Sequence, residues 1–211
     1  MLIEFNRLTF PKKVTGIIHI GAHECEENDT YLRSFNNLRQ DDIIWIEAMP
    51  HKVEEIKRVY PNLRIFNECI SNIDGNKVSF MVTNNGQSSS MLEFGTHAIQ
   101  HPHVVEIGRI ELVTKTLDTF CMEQSLNMTH YNFLNLDIQG AEYLALQGAS
   151  KLLEAVDYIY CEVNVDQLYN GCVLLPDLDK FLEEKGFKRV DIEMTEYGWG
   201  DAFYKRINLI Y

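Results

Sequence analysis

The chain has 211 residues, 45% of them hydrophobic and 24% charged, and carries a net charge of −12. That size and balance fit one α/β-sized domain with a substantial core, so residues 1–211 read as a single domain, complete or cut from a longer protein. The acid excess argues against a nucleic-acid or anionic-membrane surface, no apolar run approaches the ~18 residues of a membrane span, and the N-terminus lacks the shape of a signal peptide.

The elements alternate. A strand is predicted over 17–21, a helix over 26–37, a strand over 43–47 and a helix over 51–60 that stops at Pro61. Strands over 64–70 and 77–82 flank Asp74-Gly75, a turn signal that joins them. The stretch 104–115 reads extended and leads into a short helix over 117–124. Strand 131–137, helix 141–153, strand 158–163 and helix 176–185 follow, and strands over 187–194 and 202–208 close the chain. Alternating β/α units closed by a β-hairpin predict a Rossmann-like, seven-stranded, mainly parallel sheet with one antiparallel strand and helices on both faces. Cys25, Cys69, Cys121, Cys161 and Cys172 form no CxxC pair or regular framework, which fits a reducing, cytoplasmic setting.

Three apolar strands end in informative residues: Ile17-Ile-His-Ile-Gly21, Ile43-Ile-Trp-Ile-Glu47 and Phe133-Leu-Asn-Leu-Asp137. A ligand across the carboxyl ends of such a sheet is expected. The turn after the first strand offers one glycine, with His23 and Glu26 where a dinucleotide fold needs further glycines to approach a pyrophosphate. An acid there repels phosphate but tolerates the sulfonium and ammonium of S-adenosylmethionine. Glu47, 26 residues after Gly21, is placed to accept both ribose hydroxyls. Ile70 could pack on the adenine and Ser71 could hydrogen-bond it. Asp137 closes an apolar strand, where an acid is poorly solvated unless a cation or a polar group faces it. It could hold the cofactor's amino group, a substrate hydroxyl or a divalent metal.

His97, His101 and His103 fit no zinc pattern, and Pro102 breaks any local helix, so this stretch reads as a solvated loop. Tyr197 and Trp199, near the final hairpin's tip, could stack on a sugar face or simply form an apolar tip.

These residues resemble the FkbM family of S-adenosylmethionine-dependent methyltransferases. The resemblance is carried by Ile18-His-Ile-Gly-Ala-His23, Glu26-Glu27, Ile44-Trp-Ile-Glu-Ala-Met-Pro50, Ser88-Ser-Ser90, Thr116-Leu-Asp118, Leu136-Asp-Ile-Gln-Gly-Ala-Glu142, Tyr160-Cys-Glu-Val-Asn164 and Gly198-Trp-Gly-Asp-Ala-Phe-Tyr204. His19, His23, Asn135 and Gln139 stand where the commoner pattern has Asp, Asn, Lys and Glu, and the first two mark a His-Ile-Gly-Ala-His branch. The resemblance implies cofactor contacts at Gly21, Ala22, His23, Glu26, Glu47, Ala48, Ile70, Ser71 and Asp137. It implies acceptor contacts at Ser89, Ser90, Gln139, Asn164, Tyr169, Trp199 and Asp201. The implied reaction is O-methylation of a sugar, glycan or other small-molecule hydroxyl, with a non-catalytic ligand-binding protein of the same fold as the alternative. Asp137 and Glu162, ending adjacent strands, would converge on one hydroxyl as base and partner, or share a Mg or Mn ion. A homo-oligomer is compatible with all of this.

Overall fold

Isoleucines at 17, 18 and 20 make a run that is apolar on both faces, and every residue from 17 to 20 is buried. Such a strand belongs inside a sheet covered on both sides, because both sets of alternating side chains need apolar neighbours. The structure is a computed structural model and describes residues 1–209. Its first half contains β1 (Ile17–Ile20), α1 (Asn28–Ser34), β2 (Ile43–Glu47), α2 (Pro50–Val59), β3 (Arg64–Asn67), β4 (Cys69–Ile70), β5 (Lys77–Thr83), α3 (His97–Gln100) and β6 (Glu106–Lys115). Its second half contains α4 (Leu117–Glu123), β7 (Phe133–Leu136), α5 (Glu142–Gln147), α6 (Leu152–Ala155), β8 (Tyr158–Asn164), α7 (Leu175–Glu184), β9 (Phe187–Met194) and β10 (Trp199–Arg206).

Seven strands form one sheet in the order β3-β2-β1-β7-β8-β10-β9. The pairs β1–β2, β1–β7, β2–β3 and β7–β8 are parallel, and β10 runs antiparallel to both β8 and β9. This is the predicted seven-stranded, mainly parallel sheet with one antiparallel strand. The strand alternation sorts the core into two layers. Ile18, Ile20, Ile44, Ile46, Leu134 and Leu136 meet α4, α5, α6 and α7 on one face, while Ile17, Ile43, Trp45 and Phe133 meet α1 and α2 on the other. Among the described residues no helix is long and apolar enough to cross a membrane.

Two expectations fail, each for a tertiary reason. The predicted strand over 64–70 breaks at Glu68: its first part stays in the main sheet, and its second joins a separate sheet of order β4-β6-β5. Asp74-Gly75 therefore does not join two paired strands. The strand β6 lies between them, and Thr114 pins the turn, its hydroxyl donating to the Ile73 carbonyl at 2.6 Å and its own carbonyl accepting from Gly75 N at 2.8 Å. Asp74 instead accepts from the Thr116 backbone N–H at 2.7 Å, at the start of α4. The predicted helix over 141–153 is two helices. Gly148 passes so close to the neighbouring chain that a Cβ there would lie 2.3 Å from the Ser71 carbonyl oxygen, and Asp118 accepts the N–H groups of Lys151 and Leu152 to start α6.

Candidate active site

The carboxyl ends of β1 and β7 meet where only glycine fits. Gly21 has φ +88°, and a Cβ there would lie 1.7 Å from the Asp137 carbonyl oxygen. From this turn the His23 N–H donates to Glu47 Oε2 at 2.9 Å, and Glu47 Oε1 accepts from the Met49 N–H at 2.9 Å. Glu47 thus closes β2 and ties two loops together. Burial raises its carboxyl above the ordinary value, while these backbone donors pull the other way. Each oxygen keeps a lone pair for a further donor such as a ribose hydroxyl.

His23 and Glu26 pair at 2.8 Å. The hydrogen bond to Glu26 raises the imidazole, and although burial opposes ionisation of Glu26, the imidazole beside it holds that carboxyl down at about 2. His19, one strand residue back, is buried against Trp45 with ring centroids 4.7 Å apart, and its Nδ1 lies 2.9 Å from the Tyr31 hydroxyl. Burial lowers it to about 4, so it is neutral near pH 7.

After β7 the chain makes a turn that the sequence encodes through Glu142. This buried carboxylate accepts from the backbone N–H groups of Ile138 at 2.8 Å and Gly140 at 3.2 Å. It holds Gln139 at φ +57° and Gly140 at φ +94°. Desolvation raises Glu142 to about 7. The strained placement of Gln139 aims its amide into the site. Gln139 Nε2 donates to Asp137 Oδ1 and to Glu162 Oε2, each at 2.7 Å, and its Oε1 accepts from the Tyr169 hydroxyl at 2.8 Å. Burial, then the charges of Asp137, Glu142 and Asp201, pushes the Glu162 carboxyl well above the usual range.

Asp201 faces Glu162 across the β8–β10 ladder and accepts from the Tyr160 hydroxyl at 2.6 Å and from the Leu2 N–H. The three serines build the adjoining loop. Ser89 Oγ accepts from Thr83 N at 3.0 Å, Ser90 Oγ donates to the Gln139 carbonyl at 2.8 Å, and the Ser88 carbonyl accepts from the Tyr169 hydroxyl at 3.1 Å.

Many of these groups line one cleft of about 400 Å³, within the ~300–1,000 Å³ typical of ligand sites. Of the predicted residues, Gly21, His23, Glu26, Glu47, Ala48, Ile70, Ser89, Asp137, Gln139, Glu162, Tyr169, Trp199 and Asp201 all line it. Ala22, Ser71, Ser90 and Asn164 do not. Ser71 is held by its backbone to Lys115, Ser90 supports the Gln139 loop from behind, and the Asn164 Oδ1 is buried without a partner. Ile138, Met49, Phe80 and Met91, not singled out from the sequence, add apolar lining. Ile138 was findable as the residue next to Asp137; Phe80 and Met91 reach the cleft only through the second sheet. The expected solvated loop holds only in part: His97 is buried at the start of α3, His101 is half-buried and His103 is exposed, and all three line the cleft.

The donor set fits S-adenosylmethionine. Glu47 could accept from a ribose diol, Ile70, Phe80, Met91 and Ile138 are apolar lining against which a base could pack, and Glu26, Glu27 and Asp137 add carboxylates that could face a sulfonium and an ammonium. At Asp137 and Glu162 the group between the two carboxylates is an amide donor. Among the described residues the one cluster offering three metal-ligating atoms within 4.8 Å of one another is His23, Glu24 and Glu26, where Glu24 already pairs with Lys52 at 2.9 Å.

Residues 19–189 match the Methyltransferase FkbM domain family. Over 116 residues the chain is 28% identical to the 2-O-methyltransferase NoeI of Sinorhizobium fredii, covering 52% of this chain and 46% of that protein, so the alignment spans about half the length of the curated relative. Among solved structures, a TehB-like SAM-dependent methyltransferase from Corynebacterium glutamicum superposes with TM-score 0.47 at 8% identity, over 92% of this chain and 82% of that one. The magnesium protoporphyrin IX methyltransferase of Synechocystis superposes with TM-score 0.43 at 9% identity, over 92% and 71%. The match from His19 to Arg189 covers most of the chain and takes in the carboxyl ends of β1, β2, β7 and β8, though not Trp199 and Asp201 of β10, and on that ground the chain belongs to the FkbM methyltransferase family.

Proposed function

We propose that the chain transfers a methyl group from S-adenosylmethionine to a hydroxyl of a small molecule, with a sugar or glycan hydroxyl as the acceptor. The observation that carries this reading is the Gln139 amide bridging Asp137 and Glu162, at 2.7 Å to each, on the rim beside the Glu47 end of the cleft. Family membership supports methyl transfer, and similarity to a 2-O-methyltransferase supports oxygen as the nucleophile.

S-adenosylmethionine supplies an electrophilic methyl on a positively charged sulfur. The chain's residues do the rest. Glu47 and the Gly21 turn fix the cofactor end, and the Asp137–Gln139–Glu162 group fixes the acceptor oxygen in line, which is where most of the acceleration arises. The cofactor would supply the methyl group and keep the sulfur–carbon electron pair on sulfur, and a carboxylate of the Asp137–Glu162 pair would take the proton that the acceptor hydroxyl gives up. Glu162 in its ionised form is suited to receive it, because burial among acids raises its affinity for a proton. Gln139 keeps both carboxylates in position without adding charge.

The test pairs titration calorimetry with S-adenosylhomocysteine and methyl transfer to a panel of hydroxyl, amine and thiol acceptors. Cofactor binding with methyl ethers as products is expected. Products methylated on nitrogen or sulfur would reassign the acceptor, and absence of S-adenosylhomocysteine binding would remove the cofactor.

A further inference from the structure

The Tyr169 hydroxyl has one proton and two acceptors within reach, Gln139 Oε1 at 2.8 Å and the Ser88 carbonyl at 3.1 Å. The shorter contact goes to Gln139, whose Nε2 directs one hydrogen to Asp137 and the other to Glu162. The amide is thus held on both sides, and Tyr169 supplies the hold on its oxygen. Turned over, the amide would set that oxygen where Nε2 now stands, 2.7 Å from two carboxylate oxygens. The Tyr169 ring is itself immobilised: it is 1% exposed, packs with Met81, Leu168 and Cys172, and lies 5.7 Å from the ring of Phe94. Gly140 lets the Gln139 turn come this near, because a Cβ there would lie 3.0 Å from the Cβ of Tyr169. Burial, then the charges of Glu162 and Glu142, raises the hydroxyl, so it keeps its proton and remains a donor.

We propose that Tyr169 is a positioning residue rather than an acceptor contact: its hydroxyl holds the Gln139 amide with the N–H groups on Asp137 and Glu162, and Gln139 in turn keeps both carboxylates placed to take the acceptor's proton. The inference rests on the methyl-transfer reading above and adds a residue to its machinery. Gln139 needs such a hold, since it stands at φ +57° on a turn set by Glu142, and a long side chain on a strained turn has other rotamers open to it. Without the Tyr169 proton, Oε1 loses its donor. The amide then gains by swinging away or turning over, and either movement takes an N–H from a carboxylate.

Two readouts on the full chain separate this role from packing. The first needs no turnover: isotope-edited NMR follows the side-chain N–H signals of Gln139, assigned by their loss in Gln139→Asn. Tyr169→Phe keeps the ring and removes the hydroxyl, and solvent exchange of these N–H groups is expected to quicken about fivefold, the effect of one lost hydrogen bond. The second is a double-mutant cycle on initial rates. Tyr169→Phe is expected to lower kcat about tenfold, with the acceptor KM and S-adenosylhomocysteine affinity within about twofold, and to have no further effect in a Gln139→Asn background. Asn tolerates the left-handed backbone and is a methylene shorter, so it keeps the turn and removes the bridge. If circular dichroism shows that Gln139→Asn does not fold, Gln139→Met, which keeps the length without the amide, takes its place. Equal losses in both backgrounds overturn the proposal and assign Tyr169 to packing, or to the acceptor itself where KM rises. Unchanged exchange of the Gln139 N–H groups overturns it as well, and both outcomes leave methyl transfer standing. A wild-type chain that methylates no acceptor strikes the methyl-transfer reading and takes the proposal with it, whatever the exchange rates.

Discussion

Asp137 and Glu162, which follow β7 and lie within β8, share one donor: the Nε2 of Gln139 stands 2.7 Å from Asp137 Oδ1 and 2.7 Å from Glu162 Oε2. Two carboxylates this close repel unless something between them is positive or one holds a proton. The Gln139 amide supplies the positive end of a dipole, and burial raises Glu162. The pair is therefore organised for receiving a proton.

Asp137→Asn preserves shape and still accepts from Gln139, so the fold is expected to survive. Methyl transfer is expected to fall by about 10²–10⁴, the usual worth of a positioned acid–base group. Initial rates beside circular dichroism check this, and a wild-type rate would take Asp137 out of proton transfer.

Glu162→Gln is expected to impair turnover strongly with little change in S-adenosylhomocysteine affinity, because Glu162 lies on the acceptor side. Since an amide already bridges the two carboxylates, EDTA is expected to leave the rate unchanged. Loss of activity on chelation with recovery on adding Mg or Mn would put an ion at the pair instead.

Glu47→Ala removes the acceptor for two backbone N–H groups as well as the expected ribose ligand. S-adenosylhomocysteine affinity is expected to drop more than about tenfold by calorimetry. Unchanged affinity would leave Glu47 with its loop-tying role alone.

Much of this was legible because it is local. Apolar runs ending at Gly21, Glu47 and Asp137 announce buried parallel strands and the rim they share. What escaped depends on distant partners. Gln139 is expected as an acceptor contact, but its bridge between Asp137 and Glu162 emerges only once Glu142 folds the turn and Glu162 comes alongside from β8. His97 reads as solvated because its burial comes from residues 168 and 169, with the Leu168 carbonyl accepting its N–H at 3.2 Å and Tyr169 beside its ring. Asp74-Gly75 carries a hairpin signal, but β6, which begins only at Glu106, inserts between the flanking strands and takes over the turn's hydrogen bonds.

Acid stability tests the buried His19. Its folded value of about 4 lies below the free value of 6.5, so the unfolded chain takes up the proton first. Its contribution is full above pH 6.5 and is lost as pH falls to about 4, amounting to about 3 kcal/mol. Glu142, raised from 4.5 to about 7, works oppositely and gains as pH falls through the same range. The comparison must therefore be between variants: the Tm difference between wild type and His19→Asn is expected to shrink from pH 7 to pH 4. A constant difference would mean that His19 titrates normally in the fold.

The most direct measurement follows an isotope-labelled methyl group from S-adenosylmethionine onto the acceptor panel, with products identified by mass spectrometry and NMR. The expected result is a methyl ether on a sugar hydroxyl, formed with one S-adenosylhomocysteine per ether and lost in Asp137→Asn. Label that reaches no hydroxyl while S-adenosylhomocysteine binds, or label found on nitrogen, would contradict the account.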